Sequence, residues 1–494
     1  MIFKYKCEPF NGPIKPATVI FVSAGPEALD RTDELSSFRL QAQQHLSCGA
    51  FKGGRLDTLP LFCGQDTWLV MVGLGNLEEL TEATLLEAAA KAGQTLASLR
   101  VKEAVVCLPS LAFGSIKTFE LIVVGFKLAL EPRFNYKTTK TDPPLALRQL
   151  TFQTPSASNF IDRSKVILSR SETAALAQLE ARRLTDGPAS VITPESLAKE
   201  AVEAGLAKMF KVTIWDETKL EIEKCGAILA VGRGSSRQPR MVIIEYQGAA
   251  GLAADPATII IGKGVTFDSG GLCLKPSENM ALMKTDMAGA AAVLAVMKAA
   301  ATLKLPQRLV GLMPLAENMP DGAAYRPGDI ITTMSGQTIE VINTDAEGRL
   351  LLADALTLAQ KYNPARLIDI ATLTGACQIA LGDRCAGLFC EHQTLLKTIQ
   401  NAGEAVGEKF WPMPFISEYE ESLKSDLADF KPSAARAGGA INAALFLRRF
   451  VKKDIPWAHL DIAGTARNSH ATAGFPEGAT GFGVRTILKI LTDG

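Results

Sequence analysis

The chain has 494 residues, 47% of them hydrophobic and 21% charged, with 52 Lys and Arg balancing 52 Asp and Glu. This length exceeds one ordinary hydrophobic core and predicts two or three domains, while the composition excludes a disordered chain. Zero net charge removes the global attraction that nucleic acid or an anionic membrane would exert, and no apolar run approaches the roughly 18 residues of a spanning helix.

"MIFKYKCEPFNGPIKP" has no apolar stretch of the kind a secretory leader carries. Nine cysteines are scattered without CxxC or CxxH spacing, as expected of reduced thiols in a cytoplasmic protein. The four histidines, His45, His392, His459 and His470, form no i,i+4 pair and no HExxH. Any metal would therefore be held mostly by oxygen.

Residues 1–160 read as one α/β unit. "ATVIFVSAG" and "DTWLVMVGLG" are apolar runs ending in glycine, "EAVVCLPS" is a third buried-strand candidate, and "LTEATLLEAAAKAGQTLASL" has helical apolar spacing. The "GLG" at 73–75 lacks the third glycine of a dinucleotide loop and reads as a strand–turn–helix junction. "YKTTKTDPPLALRQLTFQTPSASN" has no sustained period and suits a domain edge. A linking helix is expected over 161–185. Thr193, Pro194 and Glu195 mark the next helix start: an N-cap, a first-turn proline and an acid at the positive end of the dipole.

Residues 186–494 alternate strands and helices. Strands are expected at "GAILAVG", "MVIIEYQG", "ATIIIGKG", "RLVGLMPLAEN", "QTIEVINTD", "ARLIDIATLTG" and "WAHLDIAG". Helices are expected at "AGAAAVLAVMKAAATL", "GRLLLADALTLAQKY", "TLLKTIQNAGEAV" and "GAINAALFLRRFV". This alternation predicts an α/β fold: a C-terminal domain with a mainly parallel or mixed central sheet covered by helices, and a smaller N-terminal α/β domain. Ligands of such sheets bind beyond the carboxyl ends of the strands.

Polar residues gather at those ends. Lys263 and Asp268 follow "ATIII", Asp286 opens the next helix, and Asp345 and Glu347 follow "QTIEVIN" with Arg349 beside them. Taken singly, Asp286 and Glu347 could be first-turn acids and Asp268 and Asp345 turn residues. A lysine between two glycines after an apolar strand has little reason to be there unless its amine is used. Converging carboxylates repel unless divalent cations join them, and two ions about 3.5–4 Å apart can act on one substrate. Oxygen ligands with one neutral amine suit zinc or manganese.

"NTDAEGRL", residues 343–350, resembles the signature octapeptide of the leucyl (cytosol) aminopeptidases, the M17 metallopeptidases. "IGKGVTFDSGG", "MKTDMAGAAAV", "ATLTGA" and "WAHLDIAG" are similar to further motifs of that family. The resemblance covers the chain closely from about 185 onward and more loosely before it. It makes 186–494 a catalytic domain that binds two divalent ions, Mn²⁺ or Zn²⁺. Asp268 and Glu347 would be shared by both ions, Lys263 and Asp286 would complete the tighter site, and Asp345 the more exchangeable one.

The implied reaction is hydrolysis of the first peptide bond at a free N-terminus by a metal-activated water. Lys275 would stabilise the tetrahedral intermediate, and Arg349 would hold a bicarbonate ion serving as general base. By the same resemblance, Met283, Thr372, Leu373, Gly375 and Ala479 would line the pocket for the first side chain, and this mostly apolar lining implies a broad preference for Leu or Met. The resemblance also implies a homohexamer with peptide substrates.

Two other readings differ in class. A two-metal phosphoester hydrolase would use the same cluster. DNA binding, known for some members, would need the basic clusters "RGSSRQPR" and "LRRFVKK", which the neutral charge disfavours.

Overall fold

The computed structural model describes residues 4–9, 16–24, 36–64, 66–131, 136–139, 146–154, 158–208, 210–249, 251, 255–433, 437–471 and 475–493. The chain divides into two compact units. One comprises Met1–Leu176, Ala405–Gly407 and His470–Glu477; the other comprises Ala177–Glu404, Glu408–Ser469 and Gly478–Gly494.

The first unit holds a six-stranded sheet of β1 (Lys4–Pro9), β2 (Ala17–Ser23), β3 (Thr58–Phe62), β4 (Trp68–Gly75), β5 (Glu103–Cys107) and β6 (Gln149–Thr154), in the order β1-β6-β5-β2-β4-β3. All neighbours are parallel except β3 and β4. Its helices are α1 (Ser36–Ser47), α2 (Glu82–Ser98) and α3 (Ser115–Leu130). Phe119 and Phe126 of α3 set their rings edge-on to Phe152 of β6 at 5.2 and 6.2 Å. The "GLG" ends β4 and leads through a short turn to α2, the junction expected of it.

Three strands here, β1, β3 and β6, escape the sequence reading. "QLTFQT", placed at a domain edge, is β6, and it pairs on both sides, with β1 and β5. Its residues alternate polar and apolar from Gln149 to Gln153, but the run is short and set in a stretch with no sustained period. β1 likewise falls in a segment read only as a non-leader N-terminus.

α4 (Ser158–Asp186) runs through the span expected to be helical and contributes residues to both units. α5 (Pro194–Lys208) begins as predicted: the Thr193 hydroxyl accepts from Ser196 N at 3.1 Å.

In the second unit β7 (Lys211–Trp215), α6 (Glu217–Ile222), α7 (Gly226–Gly232), β8 (Arg240–Tyr246), β9 (Ala257–Gly262), β10 (Gly264–Asp268), α8 (Ser277–Met280), α9 (Ala288–Thr302) and β11 (Leu309–Asn318) come first. They are followed by β12 (Ile330–Thr332), β13 (Thr338–Glu340), α10 (Glu347–Ala359), β14 (Pro364–Ala371), α11 (Gly375–Leu381) and β15 (Cys385–Phe389). The last elements include α12 (Gln393–Val406), β16 (Lys409–Pro412), α13 (Gly439–Arg448) and β17 (Trp457–Asp461). The main sheet runs β16-β15-β17-β14-β9-β11-β8-β7, with β10 beside β11. Its centre, β17-β14-β9-β11, is parallel, and antiparallel pairs flank it, so the sheet is mixed. β9 is buried at every position, as its nearly continuous apolar sequence requires when helices cover both faces. The helical run 277–302 is long and apolar enough to cross a membrane, but 67% of its most apolar window is buried inside the fold, so its apolarity serves the core.

"GAILAVG" is a helix, α7, and not the expected strand. Its N-terminus is capped from far along the chain. Asp354 of α10 accepts from Ala227 N and Ile228 N, each at 3.0 Å, and from Met334 N at 2.8 Å. A short apolar run cannot reveal a cap 127 residues away. Asp354 is fully buried, and burial pushes its carboxyl up to about 7. Asp354→Ala would orphan three backbone N–H groups and is expected to cost about 2–4 kcal/mol of stability in denaturant unfolding.

"QTIEVINTD" also departs from expectation. It contributes only the three-residue β13, which pairs with β12 through the Ser335-Gly336 turn outside the main sheet. Asp345 and Glu347 therefore reach the site from the start of α10, not from a main-sheet strand.

Candidate active site

The parallel strands bring their carboxyl ends to one edge. Lys263 follows β9, Asp268 ends β10, Thr372 and Leu373 follow β14, and Asp461 ends β17. Glu347 opens α10, and Asp286 lies two residues before α9. Lys263 Nζ lies 2.8 Å from Asp286 Oδ1 and 3.0 Å from Glu347 Oε1, and donates to the Thr372 carbonyl at 2.9 Å. Lys275 Nζ lies 2.8 Å from Asp268 Oδ2 and 2.5 Å from Asp345 Oδ1. The six residues thus form one cluster, organised around two ammonium groups.

Glycines make room for it. A Cβ on Gly348 would lie 2.3 Å from Lys263 Cε, so only glycine lets the lysine lie against the first turn of α10. Gly270 and Gly271 take φ of +86° and +64°, the left-handed turn that carries the chain from Asp268 toward Lys275.

Burial sets the electrostatics. It pushes Asp268 up to about 6, with Glu347 adding to the shift and Lys275 and Lys263 opposing it. Asp286 rises well above the carboxylate range, and Asp345 rises as well, first by burial. Glu347 alone lies below its ordinary value: burial raises it, but Lys263 and Lys275 outweigh that. Burial lowers both lysines, yet the surrounding carboxylates more than offset it and hold them above the usual range. Without a metal, Lys263 is therefore a cation.

The residues fit a divalent ion. Asp268, Asp286 and Glu347 offer oxygens that all lie within 4.8 Å of one another. Asp286 Oδ2 and Glu347 Oε2 are buried without a hydrogen-bond partner. Such orphaned oxygens are costly, and a cation would satisfy them.

Arg349 is buried, not a surface arginine. Its Nη1 donates to the Pro432 carbonyl at 2.6 Å, its Nε is buried without a partner, and burial lowers its pKa to about 10.

Of the expected pocket residues, Thr372 donates to Asp286 Oδ1 at 2.8 Å, and the Met283 carbonyl accepts from Asp286 N at 3.3 Å. Leu373 N donates to Asp461 Oδ1 at 3.2 Å. Ala479 is buried and fixed on both sides: its N–H donates to Asp186 Oδ1 at 2.9 Å, and its carbonyl accepts from Arg182 Nε at 3.0 Å. Lys284 Nζ donates to the Asp186 carbonyl at 2.6 Å, which links Ala479 to the Met283 turn. Gly375 is exposed at the start of α11 and makes no such link.

Sequence reasoning missed the residues that hold this frame. Asp461 accepts from Leu373 N, Thr374 N and the Thr374 hydroxyl, and so fixes the "ATLTG" turn. Gln178, Arg182 and Asp186 stand four apart on α4 and grip the backbone of 479–480. Their i,i+4 spacing was readable, but its target lies about 300 residues away. In the basic cluster "LRRFVKK", Arg448 pairs with Glu391 and Glu420, and Arg449 with Glu420. Cys48, Cys63, Cys107, Cys225, Cys273, Cys377, Cys385 and Cys390 are all free thiols.

The comparisons with known proteins agree with this geometry. Residues 179–488 match the model of the cytosol aminopeptidase family catalytic domain, and 19–141 match that family's N-terminal domain. A probable cytosol aminopeptidase of Nitratidesulfovibrio vulgaris is 42% identical, over 86% of this chain and 85% of its own. One from Syntrophotalea carbinolica is 40% identical, over 94% and 95%. A mutant tomato leucine aminopeptidase superposes with a TM-score of 0.88 at 29% identity, covering 100% of this chain and 97% of its own. The bottromycin maturation enzyme BotP, solved in complex with Mn, gives 0.82 at 33% identity, covering 97% and 98%. A catalytic-domain match over most of the second unit, an N-terminal-domain match over the first and relatives aligned along nearly the whole length leave one conclusion: the chain belongs to the cytosol aminopeptidase family, the M17 metallopeptidases.

Proposed function

We propose that this aminopeptidase uses two divalent ions, Mn²⁺ or Zn²⁺, to remove the N-terminal residue of peptides, with a broad preference for Leu and Met. The observation that carries the reading is the pair of buried, unpartnered oxygens, Asp286 Oδ2 and Glu347 Oε2, in a cluster of converging carboxylates. Asp268 and Glu347 would serve both ions, Lys263 and Asp286 one of them, and Asp345 the other. When bound, the ions would activate water and polarise the scissile carbonyl.

The chain's own residues do the rest. Lys263, a counter-ion in the metal-free cluster, would serve as a neutral amine ligand when metal is bound. Lys275, held between Asp268 and Asp345, stays charged and opposes the negative charge that develops on the carbonyl oxygen. Arg349, with its buried, unpartnered Nε, would hold a bicarbonate ion, which would supply the general base. Met283, Thr372, Leu373, Gly375 and Ala479 receive the first side chain. Mostly apolar walls separate neighbouring methylenes by only about 1–3 kcal/mol, which supports breadth over strict leucine specificity. A cytoplasmic homohexamer is the setting we infer, by family resemblance and by the relatives' common name.

Comparison of a leucyl peptide with its N-acetylated form tests the reading. The free-amine peptide should be cleaved at least about 100-fold faster, because the α-amine is itself a recognised group. Equal cleavage of both, or cleavage of a phosphoester instead, would refute it.

A further inference from the structure

Asn318, the last residue of β11, lies between the two walls of the cluster and is completely buried. It stands opposite Asp268 in the parallel β10–β11 register. Its Nδ2 donates to Asp268 Oδ1 at 2.8 Å and to the Thr344 carbonyl at 2.9 Å. Both partners are acceptors, so the amide orientation is fixed: nitrogen must face them. Its Oδ1 points toward Gly271, where an added Cβ would approach to 2.8 Å.

The bonds around it form a seam. Asp268 Oδ1 also accepts from Gly270 N at 2.9 Å, which leaves Oδ2 for Lys275. The Thr344 carbonyl also accepts from the Tyr325 hydroxyl at 2.6 Å. The Thr344 hydroxyl donates to the Gly270 carbonyl at 2.6 Å and accepts from Cys273 N at 2.8 Å. One wall, 268–275, is thereby joined to the other, 343–349. Among these bonds, the Asn318 amide is the one that touches a candidate ligand on one wall and the backbone just before a candidate ligand on the other.

We propose that Asn318 is a positioning residue that sets the separation of the two walls, aiming the Asp268 carboxylate directly and, by fixing the Thr344 carbonyl, the neighbouring Asp345 at the ion they would share. The inference rests on the two-metal reading above. An amide is the group this position needs. A carboxylate would set an acceptor against two acceptors, and a lysine would neutralise the charge a metal requires. An amide donates twice and leaves the ligand its charge.

The test is calorimetric titration of metal-free protein with Mn²⁺, paired with melting curves with and without Mn²⁺, for wild type, Asn318→Leu and Asn318→Ser. Leucine keeps the volume without a donor; serine is too short to reach both acceptors. Both variants should bind Mn²⁺ about 10–100-fold more weakly, with a smaller Mn²⁺-induced rise in melting temperature. For aminopeptidase turnover at saturating metal, kcat should fall more than KM changes. Wild-type Mn²⁺ affinity in both variants, with only the metal-free melting temperature lowered, would reduce Asn318 to a structural residue and overturn the proposal. Wild-type protein that takes up no Mn²⁺ would overturn the metal reading itself, and this inference with it.

Discussion

Glu347→Ala is expected to lose at least about 10³-fold in kcat/KM on leucyl substrates, ~4 kcal/mol of transition-state stabilisation, while remaining folded. Glu347 opens α10, so its removal leaves the helix backbone intact. Its Oε1 meets Lys263, and its Oε2 has no hydrogen-bond partner among the described residues. The side chain is thus committed to the cluster and not to the surrounding fold. Alanine would leave Lys263 paired with Asp286 and ease the like-charge crowding on Asp268, so the metal-free protein should lose little stability. Initial rates and a thermal melt on the same preparation separate the two effects. A folded variant with activity within a few-fold of wild type would remove Glu347 from the metal set.

The second large effect is a change in the sign of the pH dependence of stability. In the metal-free fold Asp268 titrates at about 6, against an ordinary value of 3.8. Between those values the folded chain keeps a proton that the unfolded chain has released. Stability therefore falls as pH rises through this window, and the ionised carboxylate at neutral pH is penalised by on the order of 2–3 kcal/mol. Asp286 and Asp345 shift in the same direction. Glu347 is depressed and contributes with the opposite sign, its stabilisation being lost only as pH falls below about its ordinary value of 4.5. The raised lysines contribute throughout the window. Bound ions would reverse the trend, because acid must then displace them from the carboxylates. Melting temperatures of wild type and Asp268→Asn between pH 4.5 and 7.5 isolate the Asp268 contribution. Without metal, wild type should gain on the variant as pH falls; with Mn²⁺ it should lose ground. Parallel curves in both conditions would show that Asp268 does not carry this charge.

Much of this was legible because the motifs sit on elements whose form is local. β9 and β11 are mostly apolar runs, β14 and β17 are apolar at most positions, and the polar residues at their carboxyl ends stand out against that background. Three features resisted for physical reasons. "GAILAVG" has strand-like composition, but Asp354 caps it as a helix from another element. "QLTFQT" alternates over only five residues inside a Pro- and Thr-rich stretch, and it is held as a strand by pairing with β1 and β5. "QTIEVINTD" was read as one strand, although its sequence follows a Ser-Gly turn that closes a small separate hairpin. The site divides in the same way. Its charged residues were visible as side chains in search of a purpose. Asn318, Asp461 and the α4 trio were not, since hydrogen bonds to distant backbone leave no local pattern.

The most direct measurement of the central claim is metal content followed alongside activity. Protein stripped with a chelator should bind two divalent ions per chain, and cleavage of a leucyl amide should be absent in the stripped protein and return as Mn²⁺ or Zn²⁺ fills both sites. Full cleavage by protein shown to hold no metal would contradict the account.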